Sequence, residues 1–162
     1  MKPFVKTLAA SSLLVLSLSS TPALAAKIGV TMSAFDDNFL TVLRNGMGKY
    51  AESQKDISLQ FEDAQGDVGK QLNQIQNFIA QKVDAIIVNP VDTNAVKPII
   101  DQATKAGIPL VFVNRRPQIT LTDKMAYVGS DSVLAGRLQM EALAKAMNGK
   151  GNVAILLGDL AN

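Results

Sequence analysis

The sequence predicts an α/β domain built on a parallel sheet. Three observations carry that reading: short apolar runs alternate with longer amphipathic segments, brief polar loops join them, and two of the runs are apolar throughout. A run with no polar alternation fits a strand covered on both faces, as in a parallel sheet with helices on either side.

Each element follows from its own pattern. Lys27 to Met32 (KIGVTM) reads as the first strand. Asn38 to Gln54 has Phe39, Leu43, Met47, Tyr50 and Ala51 at helical spacing. Ile57 to Glu62 (ISLQFE) alternates as a strand does. Val68 to Gln81 places Leu72, Ile75, Phe78 and Ile79 on one helical face, with Asp67 positioned to cap it. Ala85 to Val88 (AIIV) is a short β-branched strand, Thr93 to Ala106 a helix stopped by Gly107, and Pro109 to Val113 (PLVFV) a fourth strand.

The pattern shifts after Pro117. Ala126 to Val128 is a further short strand, and Asp131 to Asn148 a helix with Leu134, Leu138, Leu143 and Met147 as its apolar positions. Gly149 to Asn152 is a turn, and Val153 to Leu157 (VAILL) reads as another buried strand. The helix that should cover this strand does not follow, so a truncated second α/β lobe is expected. The expected division is a leader at 1–25, an incomplete first lobe at 26–129 and the start of a second lobe at 130–162.

The leader has its own signature. Lys2 and Lys6 form a short basic region, Leu8 to Leu18 is apolar, and Ala23-Leu24-Ala25 sets small residues where signal peptidase reads. Cleavage is expected between Ala25 and Ala26, with export to the periplasm. The apolar run falls short of the about 20 residues a bilayer span requires, and Pro22 breaks the chain ahead of the cleavage point. The chain carries 16 Lys and Arg against 14 Asp and Glu, and loss of Lys2 and Lys6 balances them. No basic excess remains to recruit nucleic acid or an anionic membrane. The sequence contains no cysteine, so neither disulfides nor a lipid-bearing Cys at the cleavage site are available, and a freely diffusing protein is expected. It contains no histidine either, which removes Cys-His zinc sites, Ser-His-Asp triads and histidine bases from this chain.

In an open parallel sheet, ligands settle outside the carboxyl ends of the strands. The loops there hold Asp36, Asp37 and Asn38, then Asn89, then Asn114, Arg115 and Arg116. Carboxylates, amides and guanidinium groups are planar hydrogen-bonders that grip adjacent hydroxyls of a sugar. Phe35 and Phe39 flank the first cluster and offer apolar faces for the C–H face of a ring. Each has a plainer explanation. Asp36 or Asp37 serves equally well to start the following helix. Phe39 also fits helix core, and Asn89 before Pro90 also fits a turn. Paired Arg115 and Arg116 after a buried strand point more strongly to ligand contact. Gly66 to Lys70 lacks the spacing of a phosphate loop, and no GxGxxG follows the first strand. No carboxylate pair is marked for general acid and base work. An enzyme is not expected, nor any cofactor or metal.

The ordered segments KIGVTMSAFDDNFLTVLRNGM, VDAIIVNPVDTNAV, KAGIPLVFVNRRP and YVGSDSVLAGRLQ resemble the ribose-type (type I) periplasmic sugar-binding proteins, which share a lobe plan with the lactose-repressor family. The resemblance spans Lys27 to Leu157. It implies a two-lobed fold that closes on a monosaccharide or polyol by hinge motion and presents it to an ABC permease. Where the family's first loop reads Asn-Asn-Pro-Phe-Phe, this chain has Asp36-Asp37-Asn38-Phe39-Leu40, which implies hydroxyl binding by Asp37 and stacking by Phe39. Asn89-Pro90 matches the family's Asn-Pro. Asn114-Arg115 stands where the family has Asp-Arg, an exchange of acid for amide that argues against ribose itself, and the Asp-rich first loop turns the expectation toward a cyclitol such as inositol or another polyhydroxylated ring. Ser130 and Asp131 fall at the first crossover between lobes, near the hinge. A sensor that presents sugar to a chemoreceptor is the alternative implied. A sugar-responsive repressor would need a helix-turn-helix where this chain has its leader.

Overall fold

The computed structural model describes residues 25–156. The expected leader lies outside them, apart from Ala25. Five parallel strands form one sheet, in the order β2-β1-β3-β4-β5. The strands are β1 (Ala26–Met32), β2 (Ile57–Asp63), β3 (Ala85–Val88), β4 (Leu110–Val113) and β5 (Met125–Val128). The helices are α1 (Asn38–Ser53), α2 (Val68–Ala80), α3 (Lys97–Ala106) and α4 (Ser132–Ala146). No helix among the described residues is long and apolar enough to cross a membrane.

Alternation along β1 divides the core in two. Val30 and Met32 pack with Leu40 of α1, joined by Ile28, Leu43, Met47, Leu59 and Phe61. The intervening residues face α2. Thr31 Oγ1 donates to Gln74 Oε1 at 2.6 Å, and a Cβ at Gly29 would lie 2.5 Å from Cγ of Phe78. Glycine there admits the Phe78 ring flat against the strand. The larger cluster joins α2 and α3 to β3 and β4 through Ile75, Phe78, Ile86, Val88, Ile99, Leu110 and Phe112. Helices therefore cover both faces, which explains why β3 and β4 are apolar throughout.

Several expectations need correction. The buried stripe of α1 runs through Leu40, Leu43, Met47 and Ala51, while Phe39 and Tyr50 face outward. Helix α3 begins at Lys97 and not at Thr93. Asp92 Oδ1 accepts from the Asn94 amide at 2.8 Å, and that local turn competes with helix until buried Val96 and then Pro98 start it. Val153 to Leu156 is not a strand: no described strand pairs with it, and Ile155 and Leu156 are 80% and 96% exposed. The last residue of that expected strand, Leu157, lies outside the described residues. Helix α4 is formed as expected, capped by Asp131, but none of its residues is buried. Between β4 and β5 the crossover uses no helix; Ile119 and Leu121 of the loop pack against the larger cluster instead.

Candidate functional site

Parallel strands bring Met32, Asp63, Val88, Val113 and Val128 to one edge of the sheet. Strand order reverses between β1 and β3, so the loops after these two strands diverge there to opposite sides. The loops after β1 and β4 stand two strand spacings apart, roughly 10 Å.

Asn89 ties these loops together. It is 0% exposed. Its Oδ1 accepts from Ser33 Oγ at 2.6 Å and from the Ser33 amide at 3.2 Å. Its Nδ2 donates to the Val113 carbonyl at 3.2 Å. One amide thus joins the carboxyl ends of β1, β3 and β4. Its oxygen and one N–H are thus engaged within the protein, and the side chain expected to meet a ligand acts as an internal clamp.

Beside it opens a cleft of about 610 Å³, lined by Thr93, Asn114, Arg115, Arg116, Gln118 and Tyr127, with Gly129 to Val133 on its other wall. Asn114 adopts φ of 63°, a left-handed conformation asparagine tolerates. Its carbonyl accepts from Tyr127 Oη at 2.8 Å, which anchors the turn. Arg115 Nη1 donates to the carbonyls of Pro90 at 3.1 Å and Val91 at 3.0 Å. Its Nε is the one buried side-chain nitrogen or oxygen without a hydrogen-bond partner among the described residues. The Arg116 guanidinium lies 5.4 Å from the centre of the Tyr127 ring. A Cβ at Gly129 would meet the Tyr127 phenol oxygen, so a larger residue there would displace the ring from its present seat.

Four of the expected site residues therefore share one cleft: Asn114, Arg115, Ser130 and Asp131. The first loop does not line it. Phe35 is half-buried; its ring takes the Arg44 guanidinium at 4.1 Å, and its carbonyl accepts from Thr41 and Arg44. Asp37 Oδ1 caps α1 by accepting from the Leu40 amide at 2.7 Å. Asp36 is exposed, and Phe39 is 61% exposed, so the latter is free to stack rather than being core. Asp131 Oδ1 is likewise occupied as the cap of α4, at 2.9 Å from the Leu134 amide. Sequence reasoning passed over Thr93, Gln118 and Tyr127. The β-strand pattern around Ala126 and the nearby arginines were the available signal for Tyr127. No group of three or more His, Cys, Asp or Glu among the described residues is placed to hold a metal.

A parallel sheet with a polar cleft at its carboxyl edge is shared by many folds, and comparison with known proteins decides among them. Residues 28–162 match the periplasmic binding protein domain. The chain belongs to that family. A protein of Rhizobium meliloti, named as a candidate rhizopine-binding protein, is 49% identical over 164 residues, covering 100% of this chain and 52% of its own length. The xylitol-binding protein of Mycolicibacterium smegmatis is 38% identical over 134 residues, covering 83% of this chain and 37% of its own. Among solved structures, an ABC transporter solute-binding protein of Bacillus halodurans with bound myo-inositol superposes with a TM-score of 0.78 at 42% identity, over 86% of this chain and 48% of that one. The chain thus spans about half or less of the length of these periplasmic binding proteins. Its sheet and helices are the parallel α/β fold of the type I group, as the sequence predicts.

Proposed function

We propose that this chain supplies one wall of the ligand site in a periplasmic substrate-binding protein, which captures a polyhydroxylated ring and delivers it to an ABC permease. The observation that carries this reading is the cleft around Arg115. One guanidinium nitrogen is fixed on two loop carbonyls, and the buried Nε lacks a partner among the described residues. Around it, Asn114, Gln118, Ser130 and Asp131 supply amide, hydroxyl and carboxylate groups, and Tyr127 an aromatic ring. That inventory suits vicinal hydroxyls on a neutral ring. Inositol-like rings and short polyols are the ligands we assign to it, in keeping with the rhizopine, xylitol and myo-inositol named for its relatives.

The leader expected at 1–25 agrees with the same reading. Strand β1 begins at Ala26, so cleavage after Ala25 would remove the leader without cutting into the sheet. Residues 26–129 then form the first lobe, and 130 onward enters the second, with Ser130 and Asp131 at the crossover. Capture without turnover fits a chain whose sequence contains no histidine and no cysteine. Titration calorimetry of the full-length exported protein with myo-inositol, ribose and xylitol tests the assignment. Saturable one-site binding of one of them, weakened by Asn114→Ala, is expected; no saturation by any of the three contradicts it.

A further inference from the structure

Gln71 on α2 lies beneath the loop that holds Arg115 and is only 2% exposed. Both ends of its side-chain amide reach that loop, and Nε2 also donates to Thr31 Oγ1 of β1 at 3.3 Å. Nε2 donates to the Asn89 carbonyl at 2.9 Å, and Oε1 accepts from the Val91 amide at 2.9 Å. These bonds bracket Pro90, which has no N–H to anchor itself. The carbonyls of Pro90 and Val91 are the two acceptors of Arg115 Nη1. A planar amide engaged at both ends has a single orientation, so it fixes the segment from Asn89 to Val91 within hydrogen-bond tolerance. Glutamate could accept from Val91 but could not donate to Asn89, and an apolar residue could do neither.

We propose that Gln71 is a positioning residue for ligand recognition, setting the Arg115 guanidinium in the cleft through the Pro90 and Val91 carbonyls. This rests on reading the cleft as a polyol site. Gln71 touches no cleft wall itself and acts at one remove, through the loop.

The test uses Gln71→Met, of similar volume but unable to form any of the three bonds, in the full-length protein. Two quantities are measured: affinity for myo-inositol by calorimetry, and hydrogen exchange of the Arg115 Nε–H by NMR without ligand. The expected result is an affinity loss of roughly tenfold together with faster Nε–H exchange. A purely structural role would lower the melting temperature and leave the guanidinium exchange unchanged. Unchanged exchange or unchanged affinity overturns the proposal. Should Gln71→Met fail to fold, Gln71→Glu, which keeps the acceptor for Val91, must show the same two changes, and their absence is equally fatal. A parent protein that binds none of myo-inositol, ribose and xylitol overturns the cleft reading itself, whatever the guanidinium does.

Discussion

Ser33 and Asn89 are joined across the switch point of the sheet by two hydrogen bonds to one oxygen, Asn89 Oδ1, at 2.6 and 3.2 Å. The bond sets the height at which the first loop leaves β1 relative to the loop after β3. It also determines what Asn89 is for. Asn89→Leu would strand the Ser33 hydroxyl and amide in a buried place, while the Val113 carbonyl keeps the Arg115 amide at 2.7 Å. Each unsatisfied group costs about 1–3 kcal/mol, so a loss of at least about 2 kcal/mol in urea denaturation is expected. A loss below about 0.5 kcal/mol would deny the clamp.

Asp37 allows capping to be separated from ligand contact. Asparagine caps a helix as well as aspartate does, whereas alanine costs about 1 kcal/mol. Asp37→Asn should therefore melt like the parent protein and Asp37→Ala several degrees lower. An affinity loss in Asp37→Asn would reveal a ligand contact beyond the cap.

Gly29 lies so close to Phe78 that no larger residue fits without displacement. Gly29→Ala should destabilise by about 1–3 kcal/mol through overpacking. Adding Phe78→Leu should return part of that loss, a non-additivity measurable by the double-mutant cycle in denaturant.

The Lys97–Asp101 ion pair, at 2.6 Å, has side chains 78% and 60% exposed. An exposed pair one helical turn apart contributes little. Lys97→Ala should change stability by no more than about 0.5 kcal/mol and leave the salt dependence of unfolding unaltered; a larger change would mean Lys97 has another partner.

The strands and helices were legible because burial writes itself into apolar periodicity, and β3 and β4 admit no other explanation. What depends on the third dimension was not. Asn89 followed by Pro90 looks like a turn former, and only the pairing of β1, β3 and β4 makes it a clamp. Gln71 and Gln74 look like solvated helix residues until Thr31 and the Asn89 loop are packed above them. Leu43, Met47 and Ala51 of the α1 stripe were legible, but Phe39 is as apolar as its buried neighbour Leu40, and hydrophobicity cannot say which of two adjacent residues faces in. Val153 to Leu156 carries the apolar signature of a strand, but a strand also needs a partner ladder, which local pattern does not reveal. Arg115 was legible as a cleft residue; its seat on the Pro90 and Val91 carbonyls was not.

The ligand is proposed to meet this chain at the carboxyl ends of β4 and β5. Backbone hydrogen exchange of the full-length protein, with and without a saturating ring polyol, tests it most directly. New protection concentrated at residues 114–118 and 129–133 is the expected result. Protection that spares both segments and falls on the outer face of α1 or the β2 edge would contradict it.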